Sequence, residues 1–438
     1  MRQRLDYGRA GLEVELPSDL DVEVAESPRP VPLADPAAAI RAALQAPIGA
    51  RPLADIARGR RDAVIVMSDK TRPVPNGILL APILETLERA GIARDRIEIL
   101  VGTGLHRANT PAELAEMTTP EIVARYRIRN HAARDAAAHR HLGRTRRGTE
   151  IWVDAGYLEA DLKIVTGLIE PHLMAGYSGG RKGVVPGLAG VEMMRTLHGP
   201  AMLEDHLGPG IIDGNPFHEE LVEIARRAGV DFLANVAIDR ERRLTGVFAG
   251  DLEAAHLAGV SVVERHVRVD VDRAADVVVA SAGGYPLDAT FYQAIKGLIG
   301  ALNVVKRGGT IILAAEVSEG IGSAEFQALL AELTDNDSFM AKLMHADFFS
   351  IDQWMAQHLC QVLRKAEVIA VSAALDLGRF PRLPIARASS VEAAIKDAAG
   401  RRGGRPRVLV LPEGPYVIAT VRGRKLAIGR AWKADEAA

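Results

Sequence analysis

Residues 62–91 read DAVIVMSDKTRPVPNGILLAPILETLERAG. The apolar run at 63–67 has the β-branched content of a buried strand, and the polar, proline-bearing stretch 68–75 reads as a loop. The segment from Gly77 has the amphipathic period of a helix that Gly91 ends. The succession recurs. IEILVGTGLHR (97–107) precedes TPAELAEMT (110–118), where Thr110 can cap a helix and Pro111 suits its first turn. DLKIVTGLIEPHLMAGYSGGRKG (161–183) and ADVVVASAGGYPLDATFYQAIKG (275–297) repeat it, and GGTIILAAEVSEG (308–320) and RVLVLPEGP (407–415) supply further strands. Such alternation predicts an α/β protein with largely parallel sheets, whose ligands lie beyond the carboxyl ends of the strands. The loops after the strands are where chemistry is expected.

A chain of 438 residues exceeds one hydrophobic core, so two α/β domains are expected, with the active site in the cleft between them. The charged segment VVERHVRVDVDRAAD (262–276) places the division near 270. Residues 1–270 then form an N-terminal α/β domain, with 416–438 a candidate to complete it, and 271–415 form a C-terminal one. A net charge of -2 gives no general attraction to nucleic acid or to an anionic membrane and leaves small molecules as ligands. The single cysteine, Cys360, excludes an internal disulfide framework and any Cys-rich metal site, reads as a buried apolar residue, and fits a reducing compartment. The first 20 residues lack the apolar stretch of a signal peptide, and no run approaches the roughly 18 apolar residues that span a bilayer. A cytoplasmic location is expected.

SDKTRP (68–73) sets Asp69, Lys70, Thr71 and Arg72 directly after a strand. Arg72 offers a two-pronged fork to a carboxylate or phosphate, and a capped turn with exposed charges is an equal alternative. GTGLHR (102–107) puts His106 behind two glycines that admit close backbone approach. An isolated histidine there is more often structural. A second one, His172, in PHLMAGYSGGRKGVVPG (171–187), changes the balance, because two imidazoles after parallel strands of one sheet can exchange protons with a substrate from opposite sides. In that loop Gly176, Gly179 and Gly180 permit a tight turn and offer amides to a phosphate, and Lys182 is a phosphate contact or a covalent nucleophile. The loop satisfies neither GxxxxGK[ST] nor GxGxxG. His198 ends a helix-like run, where interaction with the helix dipole is the plain reading. Gln293 and Lys296 share a helix face and either contact substrate oxygens or are solvated. His131, His139 and His141 lack the spacing of a helical metal motif and read as structural or exposed. Trp354 reads as core before site.

Taken together, SDKTRP, GTGLHR, EPHLMAGYSGGRKGVVPGLAG (170–190), TLHG (196–199), GNPF (214–217) and QAIKG (293–297) resemble the nickel-pincer lactate racemase family, the group of nickel-dependent 2-hydroxyacid racemases and epimerases. The resemblance implies a pyridinium mononucleotide with two sulfur-bearing arms that hold nickel between the sulfurs and a ring carbon. Lys182 would attach this nickel-pincer nucleotide covalently, and His198 would complete the coordination of Ni. The cofactor itself would bring the sulfur that a one-cysteine protein lacks. Cofactor-biosynthesis enzymes would be partners. His106 and His172 would be the acid/base pair that handles the hydroxyl proton while the C2 hydride of a lactate, malate or related 2-hydroxyacid moves to the cofactor and returns on the other face. Arg72 would hold the carboxylate, Gln293 and Lys296 the substrate oxygens, and Trp354 would stand at the substrate pocket. Asp69, Gly179 and Gly180 would touch the cofactor.

Two rivals stand beside this reading. A nicotinamide-dependent 2-hydroxyacid dehydrogenase would use a similar histidine and arginine, but no GxGxxG follows a predicted strand. A non-catalytic nucleotide-binding protein would have no use for both histidines and Lys182.

Overall fold

The computed structural model describes residues 1–345, 347–424 and 426. It contains two six-stranded sheets. The first runs, edge to edge, Leu244–Gly250, Phe232–Ile238, Leu162–Leu168, Ala63–Ser68, Ile97–Gly102 and Arg127–Asn130, parallel throughout except for its first pair. The second runs Ile385–Arg387, Ala366–Val371, Val305–Ala314, Ala275–Ser281, Arg407–Leu411 and Asp21–Val24, all parallel. Helices cover both faces, which is why the central strands read as nearly continuous apolar runs instead of alternating ones. Local signals act as expected at Pro111–Met117: Thr110 and Glu113 close a capping box and Pro111 opens the helix. Asn76–Arg89 is followed by Gly91 at φ +101, a backbone only glycine adopts freely. No helix among the described residues is long and apolar enough to cross a membrane.

The chain termini depart from a simple division at 270. Asp21–Val24 is an edge strand of the second sheet, paired with Arg407–Leu411, and Leu5, Val14 and Leu16 pack with Val277, Val279 and Ile312 in that sheet's core. A four-residue strand with half-buried side chains carries little local signal, and its partner lies some 385 positions away. Ile418–Val421 pairs with Arg268–Val271 as a separate two-stranded ribbon and does not extend the first sheet. Residues 425 and 427–438 of the segment considered for that role lie outside the described residues.

In the first sheet, the chain leaves Ala63–Ser68 on one side toward Ile97–Gly102 and returns on the other with Leu162–Leu168. The reversal opens a crevice at the carboxyl ends of these strands. In the second sheet the same reversal occurs between Ala275–Ser281 and Arg407–Leu411. The loops beyond both crevices meet: a cavity of about 700 Å³ is lined by Leu168–Pro171 from one side and by Gly283–Tyr285, Glu413 and Tyr416 from the other.

A polar seam also joins the two halves. Gln357 Nε2, on Gln353–Lys365, donates to Pro200 O (3.1 Å) and Glu204 Oε1 (3.0 Å), and Gln361 Nε2 donates to Leu203 O and Glu204 Oε1 (both 3.1 Å). His358 Nδ1 donates to Gln361 Oε1 at 2.9 Å, leaving its buried Nε2 without a partner. Burial pushes the His358 imidazole down to about 4. The unfolded chain binds this proton near pH 6.5 and the folded one does not, so stability is complete above 6.5 and is lost as pH falls toward 4. At pH 5 this histidine alone is expected to cost about 2 kcal/mol relative to pH 7. Denaturant midpoints of wild type and His358→Gln across pH 5–7 check it: the variant should lose less stability on acidification.

Candidate active site

Asp69 and His106 follow neighbouring strands and meet over the crevice. Asp69 Oδ2 lies 2.6 Å from His106 Nδ1, while Asp69 Oδ1 accepts from the Thr71 amide (3.2 Å) and hydroxyl (2.6 Å). Burial alone would raise the Asp69 carboxyl. The His106 imidazole, the Thr71 hydroxyl and Arg72 outweigh it and hold the group below the usual carboxylate range. A carboxylate on Nδ1 fixes the imidazole ring and leaves Nε2 to act on a substrate, the arrangement of an oriented general base.

The loop from 170 to 183 is tied to its own backbone. Ser178 Oγ donates to Leu168 O (2.6 Å) and accepts from the Glu170 amide (3.0 Å), and Pro171–His172 pairs antiparallel with Gly176–Tyr177. Gly176, at φ +74, passes so near Ile211 that a Cβ would sit 2.2 Å from its carbonyl oxygen. His172 Nδ1 accepts the Met174 and Ala175 amides, both at 3.1 Å, so a neutral His172 carries its proton on Nε2. Burial, followed by the charges of Lys182, Arg72 and Lys296, holds its pKa well below the ordinary value. Arg181 is buried and binds the loop from within: Nη1 donates to Tyr177 O (2.9 Å) and Nη2 to Ala175 O (2.6 Å). Burial brings its guanidinium down to about 9.

Lys182 therefore projects from a rigid 3-10 turn, Gly180–Gly183. Burial first, then the charges of Arg72, Arg181 and Lys296, depress its pKa well below that of a free lysine. A neutral amine is a nucleophile. Opposite it, His198 ends the helix Val191–Leu197, with its ring 4.7 Å from that of Trp354 and 5.4 Å from that of Phe217. Its Nδ1 is buried without a hydrogen-bond partner, and burial brings the imidazole down to about 3. Trp354 Nε1 donates to the Tyr292 hydroxyl at 2.7 Å within the second domain, and the contact of its ring with His198 brings that domain onto the first.

One cavity of about 150 Å³ gathers Asp69, Arg72, His106, Lys182, His198 and Trp354. A smaller one beside it is lined by Arg72, Glu170, His172 and Lys296, so Arg72 separates the two. An imidazole held by a carboxylate, a buried amine, an imidazole with an unpartnered nitrogen and a guanidinium thus share one interdomain crevice.

The lactate racemase N-terminal domain family matches residues 7–208, and the lactate racemase C-terminal domain family matches 271–419. A lactate racemase of Thermoanaerobacterium thermosaccharolyticum is 33% identical over 382 residues, covering 86% of this chain and 89% of that protein. One of Lactiplantibacillus plantarum is 36% identical over 383 residues, covering 86% and 90%. The chain belongs to the lactate racemase family. It is an isomerase, a racemase. The structure of the lactate racemase apoprotein from T. thermosaccharolyticum superposes with a TM-score of 0.88 at 31% identity, over 96% of this chain and all of that one. A Thermotoga maritima protein, 17% identical with a TM-score of 0.70 over 90% of this chain and all of that one, shares the fold.

Within this lactate racemase fold the residues singled out in the sequence fall into three groups. Asp69, Arg72, His106, Gly179, Lys182, His198 and Trp354 line the larger cavity. His172 and Lys296 line the smaller one, and Arg72 is shared. Gln293 is buried with its Oε1 unpartnered and lines neither. Gly180 turns away from the role of amide donor to a phosphate: its N–H donates to Asn235 Oδ1 at 2.7 Å, and a Cβ there would sit 2.8 Å from the His256 ring. Packing accounts for that glycine. Asp69 holds His106 instead of facing a ligand alone. His131 is buried between Asp154 Oδ2 and Ala189 O, both 3.1 Å away, and His141 is paired with Glu150. Three residues that line the two cavities carry no role in the sequence reading: Glu170, Tyr292 and Asp352. Glu170 heads the EPH motif and Tyr292 precedes Gln293, so both have a positional signal. Asp352 has none, since only the folded chain brings it to the crevice.

Proposed function

We propose that this racemase inverts C2 of lactate, or of a related small 2-hydroxyacid such as malate, with a nickel-pincer nucleotide attached at Lys182. The observation that carries the reading is the single cavity shared by the Lys182 amine, the His198 imidazole and the His106–Asp69 pair. The residues fit the group. Among the described residues Lys182 has no ion-pair partner, and His198, with a buried orphan nitrogen, is the kind of neutral ligand a borderline metal takes. Lys182 and His198 would hold the cofactor, with Gly179 allowing close backbone approach. When bound, the pincer nucleotide supplies the centre that takes the C2 hydride and returns it.

This chain's own residues do the remaining work. Arg72 binds the substrate carboxylate. His106, oriented by Asp69, takes the hydroxyl proton at Nε2, and His172, whose Nδ1 accepts two backbone amides, presents its Nε2–H as a hydrogen-bond donor to a substrate oxygen from the second cavity. Lys296 stands toward the substrate oxygens, and Trp354 with Tyr292 closes the apolar side and excludes water. The identities of the relatives support lactate as substrate. The reading places the protein in the cytoplasm with the cofactor-biosynthesis enzymes as its partners.

The experiment is production together with those enzymes, followed by chiral chromatography of D- and L-lactate and of malate. Interconversion of the lactate enantiomers is expected. A nickel-loaded protein that leaves lactate unchanged and inverts another hydroxyacid would move the substrate assignment, and one that inverts none would overturn the proposal.

A further inference from the structure

Glu170 has a placement that an ordinary ion pair does not explain. Its amide and carbonyl are both held by Ser178, at 3.0 and 2.9 Å, so its backbone cannot drift. Its side chain is 9% exposed, and Oε1 accepts from Arg72 Nη1 at 2.6 Å. Oε2 is buried with no hydrogen-bond partner. Leaving a buried carboxylate oxygen unmet is costly, and a carboxylate kept only for stability would have both oxygens satisfied. The cavity onto which Glu170 opens holds Arg72 from the first domain and Lys296 from the second.

Charge counting shows what the group does there. Without Glu170, two cations from opposite domains would share a buried space with one substrate carboxylate. With it, two cations meet two carboxylates. The bond to Nη1 also leaves Nη2 and Nε of Arg72 available, which is the fork a second carboxylate uses.

We propose that Glu170 is a positioning residue of the racemase: it aims Arg72 through Nη1 and stands as the counter-charge of Lys296, so that the remaining nitrogens of Arg72 receive the substrate carboxylate. This rests on the substrate reading above only for the identity of the acid. Burial and Arg72 lower Lys296 to about 7, while Glu170 and Asp69 act in the opposite sense; His172 and Lys182 are the other titratable groups that sense Lys296.

The test compares Glu170→Gln, which keeps the shape, with Glu170→Asp, which keeps the charge, in cofactor-loaded enzyme of equal nickel content. Glu170→Gln is expected to raise KM for lactate about tenfold or more with kcat changed far less, because an interaction common to ground and transition states is lost. Glu170→Asp should recover part of it. Independently of turnover, competitive acetylation of Lys296 across pH, read by peptide mass spectrometry, should show its midpoint falling by about one pH unit or more in Glu170→Gln and little in Glu170→Asp. An unchanged midpoint, or an unchanged KM in an enzyme whose wild type racemises lactate, overturns the proposal. If the wild type does not act on lactate, the substrate reading falls and the midpoint alone decides the role of Glu170.

Discussion

Lys182→Ala is expected to yield a folded protein with no added mass and no nickel, and with racemase activity lower by at least about three orders of magnitude. The folded state should tolerate the change because, among the described residues, Lys182 forms no ion pair. The loop around it is held by other residues: Arg181 grips the carbonyls of Ala175 and Tyr177, and Asn235 accepts the Gly180 amide. What disappears is the amine. Burial and three nearby cations depress the pKa of this amine well below that of a free lysine, which favours the neutral, nucleophilic form, and alanine offers no atom in its place. Intact mass and metal analysis of wild type and variant, produced together with the cofactor-biosynthesis enzymes, check this directly. A variant that still binds nickel stoichiometrically would show that the attachment lies elsewhere.

The second large effect is expected at the base. His106→Ala should keep nickel and fold while lowering kcat about 10²–10⁴-fold, the usual contribution of a positioned proton acceptor. Asp69→Asn should reproduce a large share of that loss without touching the imidazole, because the carboxylate is what fixes Nδ1 as the donor and Nε2 as the acceptor. The asparagine amide can present its NH₂ to Nδ1 and so favour the wrong tautomer. Rapid chiral assays of both variants, normalised to bound nickel, decide it. Full activity in Asp69→Asn would mean that His106 is oriented by something other than this contact.

The two predictions differ in how visible their residues were. Lys182 and His106 sit in loops that the strand–loop–helix rhythm already marks as sites, and the family motifs give each a role. Asp69 was legible as a residue of the same loop, but not as the partner of His106, 37 positions away. Glu170 belonged to a quoted motif and still escaped notice, because its meaning is its distance to Arg72, 98 positions earlier.

The ends of the chain show the same limit. Nothing in DVEV at 21–24 points to a strand at 407–411, yet that pairing makes the first two dozen residues part of the second domain.

From the sequence alone came the α/β class, the parallel sheets, the loops that carry chemistry and the motifs of the family. These follow from backbone preferences and side-chain periodicity, which act over a few residues and are written where they act. The tertiary structure alone decided which strands lie side by side, and with that the pairing of Asp69 with His106, of Arg72 with Glu170, and of Trp354 with both Tyr292 and His198. Those contacts depend on strand order and on the packing of two domains, which set the distance between residues that the chain itself keeps far apart.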